Sequence, residues 1–274
     1  MRVLGIDTST KTGSVALIQG ESLSGRGSSS GNRVVLAEYT HGVTQGHGSI
    51  LDEGGFGTRP YMQRNDSDSW LLSAVDCVLH EGDIWVNENN DRIEIDGIAV
   101  VIGPGTFTGL RIGVSTAKGL GYALGVQIAE VISLDALAAN IPSGIVCPIM
   151  DAMRGEVYAA FYEHGKRRSK YMLIKPEDLV QKILEKSDSR HQVTLLGDGV
   201  MLWGEFFAKR LPEIVSFAPS HNSYIKAINV AGIGMDMLID GRGKKPEEII
   251  PFYLRASSAE TSATESTEMV IGNQ

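Results

Sequence analysis

Apolar positions along this chain follow two periods. Residues 2–6 (RVLGI), 14–19 (SVALIQ) and 34–40 (VVLAEYT) are short β-like runs, and the turn DTSTKTG between the first two is rich in side chains that hydrogen-bond backbone. Residues 70–80 instead place Trp70, Leu71, Ala74, Val75, Val78 and Leu79 at helical spacing. IAVVIG at 98–103 is a continuous apolar strand, of the kind covered on both faces in a mainly parallel sheet. Beyond it the pattern is helical from Thr106 to Leu124. Gly109, Gly113, Ala117 and Gly121 recur there at steps of four, a row of small residues on one face. A glycine inside a helix costs about 1 kcal/mol relative to alanine, so the row predicts a face against which another backbone packs closely.

A second half opens near residue 145 and repeats the grammar of the first. Asp7 follows a buried strand and Gly13 leads into SVAL; Asp151 follows a buried strand and Gly155 leads into EVYAA, with a turn two residues shorter. Each copy reads as strand, acidic turn and returning strand, which predicts two similar lobes. Residues 176–185 (PEDLVQKILE) predict a helix with proline at its start, VTLLGDG a strand ending in a glycine-rich loop, 224–239 a helix, and IIPFYLR a final extended segment. The expected division is a first lobe over 1–127 with 222–255 packing back on it, a smaller second lobe over 128–221, and a disordered tail over 256–274.

Composition narrows the class. The 274 residues are 42% hydrophobic and 21% charged, with no uninterrupted apolar run of membrane-spanning length, and the opening MRVLGIDTST has no basic and apolar leader pattern. A cytoplasmic protein with no membrane partner is expected. Cys77 and Cys147 make no metal or redox spacing and read as reduced core thiols. The net charge of −8 opposes a general affinity for phosphodiesters, and the one basic run, Lys166 to Lys170, reads as a solvated loop.

Three short segments could carry chemistry. In DTST, Asp7 with Thr8 and Ser9 can hold a hydrated metal and hydrogen-bond a phosphate, or can simply close an Asx turn. In GPGTFTG, Gly103 and Gly105 let the backbone approach a ligand, Pro104 stiffens the loop and the following helix start can face an anion; equally, the glycines can serve packing alone. No Gly-Lys-Ser/Thr follows, so this is not a Walker A loop. Asp198 in LLGDGV can contact a nucleotide ribose or base, or sit in a type I′-like turn. Asp151 and Glu156 can serve as a base in a kinase-like cleft or as turn and strand-end residues. The six histidines (41, 47, 80, 164, 191, 221) include no i, i+4 pair, and no Gly-x-Ser-x-Gly elbow occurs. No catalytic residue and no metal site is assigned.

Taken in order, VLGIDTST with the returning SVAL, GPGTFTGLRIG, MDAMRGEVYAA and the closing PFYLR resemble the TsaB (YeaZ) family. The resemblance implies an α/β, two-lobed fold like actin, hexokinase and the Hsp70 ATPase domain, a duplicated ribonuclease H-like (ASKHA) architecture. It also implies a part in making N6-threonylcarbamoyladenosine at position 37 of tRNAs reading codons that begin with A. In such systems a TsaD-like subunit carries the metal on a His-x-x-x-His motif and transfers the threonylcarbamoyl group. A TsaE-like ATPase joins them. The chain is thus expected to need no cofactor itself, with ATP or ADP and a metal in its partners, and to meet tRNA only through the complex. The family's partner or homodimer interface falls on the helix after the GPG loop, here Thr108, Gly109, Leu110, Arg111, Gly113, Val114, Ala117, Lys118 and Gly121, with the small-residue row as its contact face. The competing expectation is an ATP-binding enzyme or small-molecule kinase of the same fold, using Asp7, Gly103, Gly105 and Asp198 around the nucleotide. Two stretches, 22–32 and 53–69, look like insertions; the second interrupts the family's first helix, so that either the helix re-forms after Ser69 or the interface is altered.

Overall fold

A computed structural model describes residues 1–20, 33–42, 70–82, 95–187 and 192–255. Both insertions and the segment beyond residue 255 lie outside these. Strands β1 (Arg2–Asp7), β2 (Gly13–Gly20), β3 (Arg33–His41), β4 (Gly97–Gly103) and β5 (Gln127–Ile132) form one sheet in the order β3-β2-β1-β4-β5. The first three are antiparallel, and β4 and β5 run parallel to β1. Helix α1 (Trp70–Glu81) starts directly after the second insertion, and α2 (Phe107–Leu124) follows β4 and ends on Gly125 in the left-handed conformation.

After α3 (Ser133–Ala138) the pattern repeats. Strands β6 (Ile145–Asp151), β7 (Val157–Ala159), the short β8 (Tyr162–Glu163) and β9 (Lys166–Arg167), and β10 (Met172–Ile174) come next. Then follow α4 (Pro176–Lys186), β11 (Val193–Leu196), α5 (Gly199–Arg210) and β12 (Val215–Phe217). The second sheet is ordered β10-β7-β6-β11-β12, with β8 on β6 and β9 on β8. Its first hairpin is antiparallel and its last two strands are parallel to β6. The strand order and sense of the first sheet are therefore reproduced in the second, which is the duplicated, actin-like architecture.

Strand alternation explains why the apolar runs are continuous. In β4, Ala99 and Val101 face α6 (Ala227–Ile239), while Ile98, Val100 and Ile102 face α1 and α2. In β6, Val146 and Met150 point into the central core with α3 and α6, whereas Cys147 and Ile149 point to the outer core beneath α4 and α5. The result is five layers: helices, sheet, a middle layer of α3 and α6, sheet, helices. Gly5 allows the middle layer to approach, since a Cβ there would lie 2.4 Å from the Ala227 carbonyl oxygen. Across the middle, the Tyr162 and Tyr171 hydroxyls both donate to Asp135 at 2.5 and 2.7 Å.

Two local expectations are corrected. The glycine-rich loop after VTLLGDG runs straight into α5, whose mixture of Gly199, Gly204 and large apolar residues hides the helical period. Asp198 has φ −66° and ψ −26°, which excludes a type I′ turn and makes it the residue that starts that helix. The basic run from Lys166 to Lys170 is solvated as expected, but its first two residues are not loop. Lys166–Arg167 form β9 of the β8–β9 hairpin, closed by His164 and Gly165 at φ 49° and 72°, the positive pair such two-residue turns require, and 168–170 follow outside any strand.

Candidate functional site

The two lobes present equivalent corners: β1 ends at Asp7, β6 ends at Asp151, and β4 and β11 each run into a helix through a Gly-x-Gly turn. Asp7 is fully buried. Its Oδ1 accepts the Ser9 backbone N–H at 2.9 Å and the Ser9 hydroxyl at 2.6 Å, an Asx turn. Its Oδ2 is buried with no hydrogen-bond partner among the described residues. Burial is the main cause that raises its pKa to about 7; the Ser9 hydrogen bonds oppose the rise and the Asp198 charge adds to it. One oxygen of this carboxyl orients its own loop, and the other remains able to take up a proton or a polar ligand atom.

The Gly103-Pro104-Gly105 turn, with a cis bond before Pro104, is packed by the chain's own backbone. A Cβ on Gly103 would meet the Phe252 carbonyl oxygen at 2.3 Å, and one on Gly105 would meet the Ser9 carbonyl oxygen at 2.4 Å. The Thr106 amide donates to that same Ser9 oxygen at 2.7 Å. The glycines thus serve an internal joint rather than an open cradle. A nucleotide phosphate would have to be held by the first-turn amides of α2, a thin set of donors.

The row of small residues on α2 is likewise turned inward, which corrects the expectation that it meets a partner. Gly113, Ala117 and Gly121 are buried, with Leu110 and Val114 beside them. Gly109 and Gly113 pack on Thr8, and Gly121 on Ile128 and Pro246. The physical reason is the same close approach inferred from spacing, but the approaching backbone belongs to the chain itself. Lys118 donates to the Ile249 carbonyl oxygen at 3.1 Å, so it too binds an internal segment. What faces outward is a different stripe: Thr108, Arg111, Ser115 and Tyr122, with Phe107 beside it. Phe107 and Tyr122 are 47% and 61% exposed, large values for aromatic rings. The Arg111 guanidinium lies 3.7 Å over the Phe107 ring, which stacks on Tyr253 at 5.5 Å.

In the second lobe Asp198 is mostly buried, and its Oδ1 accepts the Asp151 amide at 3.1 Å. Its pKa is raised, by burial first, with the Asp151 charge contributing. Asp151 itself accepts the Met153 amide at 2.8 Å, and Glu156 pairs with Arg255 at 2.6 Å. Both have the turn and strand-end roles. Arg255 and Phe252, which reading by segments missed, complete the corner: the Phe252 amide donates to the Ile102 oxygen at 2.7 Å. No local pattern announces such a role; only a short extended run ending in arginine marked it. Among the described residues, no group of three or more His, Cys, Asp or Glu is placed to hold a metal ion, and no helix is long and apolar enough to cross a membrane.

Comparison with known proteins bears on this geometry. The sequence model of the family described as TsaD, tRNA N6-adenosine threonylcarbamoyltransferase, matches residues 41–262. The tRNA threonylcarbamoyladenosine biosynthesis protein TsaB of Bacillus subtilis is 28% identical over 97% of this chain and 99% of its own length. TsaB of Escherichia coli is 25% identical over 94% of this chain and 96% of its own. The solved structure of YeaZ from Pseudomonas aeruginosa superposes with a TM-score of 0.62 over 92% of this chain and 99% of that one, at 24% identity, and shares the fold. With a family match that spans most of the chain and TsaB relatives that align from end to end, the chain belongs to the TsaD family of that model and, within it, to the TsaB (YeaZ) group.

Proposed function

We propose that the chain acts in the biosynthesis of N6-threonylcarbamoyladenosine at position 37 of tRNAs reading codons that begin with A, in the cytoplasm, as a non-catalytic partner of a TsaD-like subunit. The part of its TsaB relatives in tRNA threonylcarbamoyladenosine biosynthesis supports the pathway. The observation that carries the partner role is the outward stripe of α2, where Tyr122 and the Arg111–Phe107 stack are exposed on a helix anchored from behind by Thr8. Exposed aromatics and arginine on a rigid support are the side chains from which binding hot spots are made. In this reading the metal and the transfer chemistry reside in the TsaD-like subunit, and ATP turnover in a TsaE-like ATPase. A second copy of the chain would compete for the same stripe.

The test is reconstitution. Adding the chain to purified TsaD-like and TsaE-like subunits should restore threonylcarbamoylation of unmodified tRNA, read by mass spectrometry of the nucleosides. Full modification in cells lacking the gene would end this reading. The orphaned Oδ2 of Asp7 favours a second one, an ATP-binding enzyme of the same fold. Calorimetry of the isolated chain with Mg-ATP separates the two, because only the second reading requires tight binding.

A further inference from the structure

The basic residues of this acidic chain are not evenly spread. Residues 166–186 hold seven Lys or Arg against three Asp or Glu, whereas the whole chain holds 25 against 33. The fold brings the two ends of this segment together. The residues after the β8–β9 hairpin and the outer face of α4 enclose a groove of about 320 Å³. Lys170 stands on one wall, Lys182 and Lys186 on the other, with Phe161 and Met172 at its base.

Several features make this a prepared site for an anion rather than loose surface charge. The hairpin is fixed: the Ser169 hydroxyl accepts the Phe161 amide at 2.8 Å, and the Arg168 amide donates to the Phe161 oxygen at 2.7 Å. Its guanidinium groups are already engaged, Arg168 with Glu163 at 3.1 Å and Arg167 with Asp135 at 4.0 Å. Lys170, Lys182 and Lys186 are exposed, and none of the ion pairs among the described residues includes them. Glu185 is the one carboxylate lining the groove. Lys182 and Lys186 lie one turn apart, about 6 Å along the helix, which suits successive phosphates of an extended strand. Like charges at that spacing repel each other until an anion lies between them.

We infer that this groove contacts the phosphate backbone of RNA, as the share of the tRNA grip that this chain contributes inside its complex. The inference rests on the tRNA-modification reading above. A polyanion is favoured over a protein partner because the groove offers three ammonium groups to one carboxylate. Lysine supplies charge without base reading, so the contact is expected to be independent of sequence.

The test compares full-length chains in the reconstituted complex, with an unmodified tRNA transcript as probe and fluorescence anisotropy at several salt concentrations. The triple substitution Lys170→Gln, Lys182→Gln, Lys186→Gln should weaken tRNA binding and make the plot of log affinity against log salt shallower by about 3, near one for each lysine. The triple arginine substitution should restore both. A charge-matched control, Lys209→Gln, Arg242→Gln, Lys245→Gln, should change the slope by less than one. Unchanged affinity and slope in the glutamine triple would overturn the inference, as would equal loss in the control. Loss of co-purification with the TsaD-like subunit, with RNA binding intact, would also overturn it and assign the groove to a protein. Failure of the unsubstituted complex to modify tRNA would instead strike the function reading, since RNA binding by the groove is measured separately.

Discussion

Thr8 and Gly109 are locked together between β1 and α2: the Thr8 hydroxyl donates to the Gly109 carbonyl at 2.7 Å, and a Cβ on Gly109 would stand 1.9 Å from the Thr8 carbonyl oxygen. The strand end that carries Asp7 and the helix that carries the outward stripe are therefore one rigid unit. Gly109→Ala forces backbone against backbone, which no rotamer change relieves. Overpacking typically costs about 1–3 kcal/mol, and this contact belongs at the upper end. The thermal midpoint should fall by several degrees, measured by calorimetry or circular dichroism. An unchanged midpoint would mean that the joint is loose.

The outward and inward faces of α2 should separate cleanly. Ala117→Leu adds volume to a fully buried position and should lower the midpoint by about 2–4 °C for each kcal/mol lost. Tyr122→Ala should leave the midpoint in place, because the ring is 61% exposed. If the stripe is the partner surface, Tyr122→Ala should weaken association with the TsaD-like subunit by about 30-fold, the effect of a 2 kcal/mol hot spot. Biosensor affinities for the two variants decide it. An effect on binding from Ala117→Leu alone would return the interface to the buried face.

Asp7 should leave a signature in the pH dependence of stability. Its pKa is about 7 in the folded chain against 3.8 when solvated. Between about pH 4 and 7 the folded chain therefore holds a proton that the unfolded chain has released. This contribution favours folding fully below that window and is lost as pH rises through about 7, on the order of 4 kcal/mol in all. Asp7→Asn keeps an acceptor for Ser9 and removes the titration. Urea unfolding at pH 5 and pH 8 should show a smaller fall for Asp7→Asn than for the unsubstituted chain. Equal falls would mean that Asp7 is solvated.

The Arg255–Glu156 pair ties the closing segment to the second lobe. Both side chains are about three-quarters buried, at 23% and 29% exposed, so the pair is less screened than a surface bridge. Arg255→Ala should free the segment locally. Hydrogen exchange at the Phe252 amide, which donates to Ile102, should accelerate while the core strands stay protected. Uniform acceleration across β1 and β4 would show instead that the segment is part of the global core.

Much of the architecture was legible from period and punctuation. The spacing predicted α1 and α2 to within a residue at each end, and Pro176 marked the start of α4. The repeat of Asp7 and Gly13 in Asp151 and Gly155 anticipated the duplicated sheets. α5 escaped because Gly199, Gly204 and the adjacent Phe206 and Phe207 blur its amphipathic period. The site was legible only in part, since Asp7 and Asp198 are local signals while Arg255 and Phe252 reach their places across about a hundred residues or more.

By itself the sequence determined most of the segments that become strands and helices, that there are two lobes, and where small residues must meet a close neighbour. Those properties depend on side-chain size and spacing along one element. Which neighbour they meet was decided only by tertiary packing. The glycines at 103, 105, 109 and 113 are all filled by Thr8, Ser9 and Phe252, so the face that spacing offered to a partner is spent inside the chain. Spacing reports that a surface is small, but not which surface lies opposite, because that choice is made by the summed burial of five layers.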